Sequence, residues 1–142
     1  MTVVELVRMP PRLVIGVPVL APFDRLSTLV PAAWTRAFAE FAGDGRPFAE
    51  ASTRVGGQYH EVVGVLAALD ARRDGFVHAL VPGGEYAYLE HRGPRAGIAG
   101  AFGEIEDWLR AAGRTAGAAK LDVGYRADGS DQAHELFVSL AS

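Results

Sequence analysis

The sequence predicts an α+β fold in which one mainly antiparallel sheet carries two helices on one face and leaves a cleft between them. The chain has 142 residues, of which 49% are apolar, enough for one domain with a single core. Two amphipathic helical segments alternate with pairs of extended segments, and short turns between successive extended segments favour antiparallel pairing. The order of extended pair, helix and extended pair occurs twice along the chain.

The first half opens with two apolar, β-branched runs, 3–9 and 12–19, which predict strands separated by two prolines. A helix is predicted to begin at Pro31, because proline suits the first helical position. Apolar residues then recur at spacings of three and four and form one face (Trp34, Ala37, Phe38 and Phe41). Two more strands, 48–55 and 58–69, are predicted on either side of a Gly-Gly turn.

The second half repeats this order. Extended segments at 76–81 and 85–91 flank a Pro-Gly-Gly turn, and a helix is predicted over 98–112, before a capping glycine. Its apolar residues share one face (Ile98, Phe102, Ile105, Leu109 and Ala112). Two strands, 120–126 and 135–140, complete the chain.

One shared offset supports an internal duplication. Trp34 and Trp108 are 74 positions apart, and so are the pairs His60-Glu61 and His134-Glu135. The sequence therefore predicts a single domain over 1–142 with two pseudo-repeats, 1–70 and 75–142, in which Glu61 and Glu135 are equivalent.

Composition excludes several classes of function. The net charge of −3 and the lack of a basic block give no electrostatic footprint for nucleic acid. The chain has no cysteine, which excludes disulfides and thiolate chemistry. No apolar run is long enough to span a membrane, and residues 1–8 lack the pattern of a signal peptide, so a cytoplasmic location is expected.

The sequence also predicts neither a metal site nor a cofactor. The four histidines have no short ligand spacing, and there is no cysteine to assist them. No nucleophile motif and no phosphate-binding glycine loop is present.

Aromatic side chains are the first candidates for lining the cleft, since two helices related by a pseudo-twofold axis leave a groove unless bulky residues fill it. Trp34 and Trp108 either pack in the core or form a wall for a planar ligand. The tyrosines either occupy half-buried sheet positions or give an apolar cleft a hydroxyl group. The candidate ligand-binding residues are Trp34, Tyr59, Tyr86, Tyr88, Trp108, Tyr125 and Phe137.

Carboxylates are the second group of candidates. A carboxyl group directed into an apolar cleft has a raised pKa and either acts as a general acid or base or pairs with a cationic ligand. Glu61 and Glu135, which are equivalent under the repeat, are the candidates; the alternative is that both are solvent-facing strand residues.

Several segments resemble the GyrI-like small-molecule-binding family, which includes effector-binding domains of AraC- and MerR-type regulators. The resemblance is carried by PGGEYAYLEHRGP at 82–94 and IAGAFGEIEDWLRAAG at 98–113, and extends to the Pro-Pro strand region, Pro-x-x-Trp at 31–34 and Tyr-x-x-Val-x-Gly-Val at 59–65. It implies two copies of a strand–helix–strand–strand unit with a cleft at their junction for flat, aromatic or cationic ligands. The family's buried glutamate lies two residues before a tyrosine; here Tyr125 matches the tyrosine, Val123 occupies the glutamate position and Asp122 is adjacent.

The resemblance implies a stand-alone domain that binds or sequesters a hydrophobic, aromatic or toxic cationic compound, as a monomer or homodimer, in the manner of multidrug-binding and resistance proteins. No helix-turn-helix is expected in residues 1–30. The first alternative is hydrolysis of strained electrophiles, such as cyclopropane-bearing DNA alkylators, by Glu135, Glu61 or Asp122 of the cleft. Glu135 is preferred because the family's arrangement implies that the closing strand lies near the centre of the sheet. The second is a gyrase-inhibitor-like module that binds a protein partner.

Overall fold

The fold class predicted from the sequence is confirmed: eight antiparallel strands form one sheet and two helices cover one of its faces. A computed structural model describes residues 3–141, so the predicted outer limits at residues 1 and 142 lie outside the described residues. The strands are β1 Glu5–Met9, β2 Arg12–Ala21, β3 Phe48–Val55, β4 Gln58–Ala67, β5 Val77–Val81, β6 Gly84–His91, β7 Ala116–Tyr125 and β8 His134–Leu140. The helices are α1 Phe23–Glu40 and α2 Ile98–Ala111.

Helix α1 starts at Phe23, so the prediction of a start at Pro31 is wrong; Pro31 lies inside the helix. The apolar face already begins before the proline, where Leu26, Leu29 and Val30 pack beside the buried Ala33 and Trp34. This packing holds the first two turns in place although proline disfavours a helix interior.

The strand order in the sheet is β1-β6-β8-β7-β3-β4-β2-β5, and every neighbouring pair is antiparallel. On one side of the centre, the strands follow one another outward in the order β3, β4, β2, β5. On the other side the order is β7, β8, β6, β1, so each strand has a counterpart at the same distance from the centre. Two strand–helix–strand–strand units, β2-α1-β3-β4 and β6-α2-β7-β8, therefore meet where β3 pairs with β7. We call this β3–β7 pair the seam.

The sheet curls strongly, because its connections are too short for a flat sheet. Strands β1 and β2 are six positions apart in the strand order, which corresponds to about 29 Å in a flat sheet. Only Pro10 and Pro11 join them, and the three Cα steps from Met9 to Arg12 span at most about 11 Å. The face without helices is therefore concave and surrounds a core that includes Val14, Val62, Leu121 and Tyr86. Because no helix covers this face, we call it the open face.

The opposite, helix-covered face of the sheet carries one helix on each half. Helix α1 packs on β2 and β4, and α2 packs on β6 and β8. The predicted apolar face of α2 is buried at Ile98, Ile105 and Leu109, against residues such as Leu89 and Leu136. No helix within residues 3–141 has the length and apolar character needed to cross a membrane.

The shared offset of 74 does not describe the strands correctly. Glu61 pairs with Ser52 and Glu135 pairs with Val123, and these two partners lie on opposite faces of the sheet. A displacement of one residue reverses the face that a side chain occupies, so Glu61 and Glu135 are not equivalent. The two tryptophans also differ, since Trp34 is 7% exposed and Trp108 is 37% exposed.

Replacement of Gly64 by alanine should destabilise the sheet. Gly16 of β2 pairs with Gly64 of β4, and a Cβ atom on Gly64 would lie 1.9 Å from the carbonyl oxygen of Ile15. Because the clash is with backbone, we expect Gly64→Ala to lower the free energy of unfolding by at least about 2 kcal/mol in urea denaturation. Gly57→Ala is the control, since no atom lies within 4 Å of its added Cβ. Equal stability of the two variants would contradict this packing.

Candidate functional site

A cleft of about 400 Å³ lies above the seam on the helix-covered face. It exists because α1 and α2 pack on the outer strands of each half and leave β3 and β7 uncovered between them. Apolar side chains of both helices form the rims, and polar side chains of β3, β4 and β7 form the floor. The lining residues are Phe23, Leu26, Glu50, Ser52, Arg54, Tyr59, Glu61, Ile98, Ala99, Phe102, Gly103, Glu106, Lys120, Asp122 and Tyr125.

A β-bulge in β7 determines which side chains reach this floor. Val123 pairs with Ala49 and Tyr125 pairs with Phe48, although Ala49 and Phe48 are adjacent in β3. Gly124 is therefore the extra residue of β7. The bulge brings Asp122 and Tyr125 onto the same face of the sheet, although they are three positions apart in sequence and would face opposite sides of a regular strand.

Gly124 is required at this bulge for two reasons. Its φ of 137° is unfavourable for residues with a side chain, and a Cβ atom there would lie 2.3 Å from the carbonyl oxygen of Ala133. The resulting geometry allows the Tyr125 hydroxyl to donate a hydrogen bond of 2.7 Å to Asp122 Oδ2. Asp122, the acid of the penultimate strand β7, therefore faces the cleft, whereas Val123 packs against the core of the open face.

Glu50 and Glu61 form a pair of carboxyl groups at the bottom of the cleft. Burial raises the pKa of Glu50 well above its ordinary value, and the nearby charges of Glu61 and Asp122 raise it further. Burial also raises the pKa of Glu61, although hydrogen bonds from Glu50 and Ser52 oppose this effect. A proton on Glu50 that is donated to Glu61 satisfies both carboxyl groups.

An aromatic cluster holds Glu50 in place and closes one end of the seam. Trp34 donates a hydrogen bond of 3.2 Å from Nε1 to Glu50 Oε1, and its ring centroid is 4.3 Å from that of Tyr125. Phe38 stacks on Trp34 with 4.8 Å between the ring centroids, and the ring of Phe48 lies edge-on to both. The cleft therefore has an aromatic boundary behind its acidic floor.

A chain of charged groups runs from Asp122 to the protein surface. His134 is fully buried, and its Nδ1 and Nε2 lie 2.6 Å and 2.7 Å from carboxylate oxygens of Asp122 and Asp131. Arg95 in turn donates from Nε and Nη2 to the two oxygens of Asp131, at 2.6 Å and 2.8 Å. The Arg95 guanidinium also lies 5.2 Å from the centroid of the Tyr125 ring. These contacts fix both Asp122 and Tyr125 at the cleft floor.

The hydrogen bonds of His134 to the two aspartates favour its imidazolium form. Burial alone disfavours the imidazolium, but the hydrogen bonds and charges of Asp122 and Asp131 outweigh it and raise the pKa of His134. Burial likewise opposes ionisation of Asp131, yet its bonds with Arg95 and His134 lower its pKa to about 2. The charge of Asp122 is thus matched by His134, and this leaves Glu50 and Glu61 as the carboxyl groups without a matched cation.

Lys120 lowers the pKa of Glu61 through its charge, but among the described residues it forms no ion pair with Glu50 or Glu61. Its Nζ lies 2.7 Å from Glu106 Oε1 on the rim and 5.3 Å from the centroid of the Phe102 ring. In the part of the chain that the structure describes, neither Glu50 nor Glu61 has a lysine or arginine nitrogen within 4.0 Å. Across residues 3–141, no group of three or more potential ligands is arranged to hold a metal ion.

The structure brings four of the sequence-predicted site residues together in the cleft and places a fifth directly behind its floor. Glu61, Asp122, Tyr59 and Tyr125 line the cleft. Trp34 contacts two floor residues without lining the cleft.

The other five predicted residues lie elsewhere. Tyr86, Tyr88, Phe137 and Glu135 are on the open face, where Tyr86 and Phe137 are part of the core and Tyr88 lies 3.4 Å from Glu135. Trp108, on α2, is partly exposed and does not line the cleft. The register of β8 explains the position of Glu135, because Leu136 pairs with Asp122 and so takes the helix-covered face.

Glu50, whose pKa is the most strongly raised among the acids of the cleft, is not one of the residues predicted from the sequence. A signal for it exists: Glu50 lies in the middle of a strand between two small apolar residues, Ala49 and Ala51, and alternates with them. An acid between two buried apolar residues of a strand is typical of a site residue.

Comparisons with known proteins show the fold. No protein-family model and no curated protein matches the chain. Among solved structures, SAV2435 bound to tetraphenylphosphonium has a TM-score of 0.74 and 11% identity, with 98% of this chain and 94% of that one covered. The chain shares its fold.

Two further structures extend this likeness. The C-terminal domain of EcmrR has a TM-score of 0.67 and 11% identity, with 100% and 99% of the two chains covered. A hydrolase encoded by lin2189 from Listeria innocua has a TM-score of 0.56 and 12% identity, with 97% and 91% covered. These likenesses agree with the fold that the GyrI-like resemblance implies.

Removal of the buried histidine should destabilise the protein. His134→Ala leaves the carboxylates of Asp122 and Asp131 without their shared cation, so we expect a loss of about 3–5 kcal/mol in urea denaturation. His60→Ala is the control, because His60 is exposed and should change stability by less than about 0.5 kcal/mol.

The loss should also depend on pH. A raised pKa of His134 in the folded state means that its stabilisation is complete below about pH 6.5 and is lost as pH rises through the folded pKa. The lowered pKa of Asp131 means that its contribution is lost as pH falls from about 4 toward 2. The difference between wild type and His134→Ala should therefore be largest between about pH 4 and 6.5. A difference that is constant from pH 3 to 9 would contradict the charged pairing.

Proposed function

We propose that this protein binds a lipophilic organic cation in the cleft above the seam, and that it acts by binding or sequestering such compounds. The observation that carries the proposal is the Glu50–Glu61 pair, two carboxyl groups at the bottom of an apolar-rimmed cleft with no lysine or arginine within ion-pair distance among the described residues. A cation is the ligand that such a pair attracts.

The shape and composition of the cleft favour a large, weakly hydrated cation over a small one. The volume of about 400 Å³ is within the range of small-molecule sites. Phe23 and Phe102 on the rims and Tyr59 and Tyr125 in the floor offer aromatic surface to a flat or multi-ring compound. A delocalised cation loses little hydration on entering such a site, whereas an inorganic ion loses much more.

The likeness to SAV2435 supports this choice of ligand class, because that protein was solved bound to tetraphenylphosphonium, a lipophilic aromatic cation. The likeness to the EcmrR C-terminal domain supports a binding domain of the same architecture. Identities of 11% give the fold only, so the ligand class rests on the carboxyl pair and the aromatic lining.

A matched pair of ions tests the proposal directly. Tetraphenylphosphonium and tetraphenylborate have nearly the same size and shape but opposite charge. We expect the phosphonium to bind in isothermal titration calorimetry and the borate to bind at least about tenfold more weakly, because a charge about 5 Å from a carboxylate contributes a few kcal/mol. The double variant Glu50→Gln/Glu61→Gln should lose about 10–100-fold in affinity for the phosphonium and little for the borate.

Glu104→Gln serves as the control, since Glu104 is exposed on α2 and does not line the cleft. Equal affinity of wild type for the two ions would remove the basis for cation recognition, and an unchanged affinity in the double variant would show that binding occurs elsewhere.

Hydrolysis of a strained electrophile is the second candidate, favoured by one observation. Glu50 and Glu61 are neighbouring carboxyl groups, and burial raises the pKa of both, that of Glu50 more strongly; a carboxyl group with a raised pKa is what general acid–base catalysis uses. The lin2189 protein, described as a hydrolase, has the same fold. Mass spectrometry after incubation with a cyclopropane-bearing alkylator should detect a water adduct with wild type and none with Glu61→Gln. An unaltered compound with wild type would eliminate this candidate.

A further inference from the structure

We propose that cation binding in the cleft is an exchange reaction. In the free protein Glu50 and Glu61 share one proton, and the ligand cation displaces that proton when it binds. This inference rests on the proposed function and deepens it, since it states how the site accommodates a permanent positive charge. It predicts that protons and ligand cations compete for the same two carboxyl groups.

The register of the strands places the two carboxyl groups together. Ser52 pairs with Glu61, and Glu50 lies two residues before Ser52 on the same face of β3. Side chains in this diagonal relation on adjacent antiparallel strands are within reach of each other when they are long. Trp34 holds one oxygen of Glu50 from behind, so the acid cannot swing away from its neighbour without losing that bond.

The surroundings of the pair supply too little positive charge to ionise both acids. From β7, Asp122 adds a negative charge that His134 matches, and Tyr125 directs its hydroxyl to Asp122. The charge of Lys120 lowers the pKa of Glu61, but the Lys120 Nζ is held 2.7 Å from Glu106 Oε1 of α2. The remaining charged or titratable lining groups are Arg54 of β3 and Tyr59 of β4.

Two carboxylates this close in a largely buried setting cannot both be ionised without a counter-ion, so they retain one proton between them. A lipophilic cation above the pair becomes that counter-ion. The balance is one ligand cation taken up and one proton released to solvent, with no covalent bond formed or broken other than the O–H bond of the acid. The charge of the cleft is unchanged by the exchange.

Such an exchange explains how the floor can carry two acids and yet remain stable without ligand. The proton keeps the free protein from holding two buried, uncompensated charges, which are costly. It also sets a preference, because a neutral ring system of the same size leaves the proton in place and gains no charge interaction. Selectivity for permanent cations then follows from the carboxyl pair, and the aromatic rims contribute affinity to both kinds of ligand.

The experiment is calorimetric titration of wild type with tetraphenylphosphonium at one pH in two buffers, phosphate and Tris, whose enthalpies of ionisation differ. The difference in measured enthalpy gives the number of protons released. We expect about one proton per ligand near neutral pH, and an affinity that rises by up to tenfold per pH unit where the pair is still protonated. Glu50→Gln should bind with a release near zero, and Glu104→Gln should behave like wild type.

The outcomes separate this inference from the proposed function. Binding whose enthalpy is the same in both buffers near neutral pH, with an affinity that does not change between pH 5 and 9, would overturn proton exchange and leave cation binding intact. Full proton release in Glu50→Gln would also overturn it, because the proton would then come from another group. Failure of wild type to bind the phosphonium at any pH would overturn the proposed function and the exchange with it.

Discussion

The pairing of β3 with β7 is the constraint on which the rest of the structure depends. It joins the two halves of the sheet, and because each helix packs on the outer strands of its own half, the joined strands stay uncovered. A cleft above the seam is therefore a consequence of the topology. The same pairing places Glu50 directly opposite Asp122, so that acids from both halves meet at its floor.

Charge compensation differs between these acids and divides the floor into two parts. Asp122 belongs to a fully hydrogen-bonded chain with His134, Asp131 and Arg95, which is suited to fixing geometry. Glu50 and Glu61 lack a lysine or arginine partner among the residues described and are suited to accepting a ligand's charge. One part of the floor is thus held rigidly and the other is the part to which we assign cation binding, and Tyr125 connects them through its contacts with Asp122 and Trp34.

Periodicity, turn residues and the repeated order of elements were sufficient to predict the fold class, most strand positions and the apolar face of α2. The repeat identified Glu61, strand position identified Tyr59 and Tyr125, and the family resemblance identified Asp122; all four line the cleft. The face of the sheet that each strand side chain occupies was harder to predict, because it depends on register. The bulge at Gly124 brings Asp122 and Tyr125 to the cleft together, and the pairing of Leu136 with Asp122 places Glu135 on the opposite face. Glu50 was missed because its importance comes from neighbours distant in sequence, Trp34 and Asp122. The start of α1 was predicted at Pro31 but lies at Phe23, because packing of the turns before the proline outweighs the preference of proline for the first helical position.

The most direct test of the central claim is to locate a cation in the protein. Tetraphenylarsonium has nearly the shape and charge of tetraphenylphosphonium, and its arsenic atom is visible by anomalous X-ray scattering. In crystals soaked with it, this account predicts one strong arsenic peak between α1 and α2, above the carboxyl groups of Glu50 and Glu61. A peak on the open face of the sheet, with none between the helices, would contradict it.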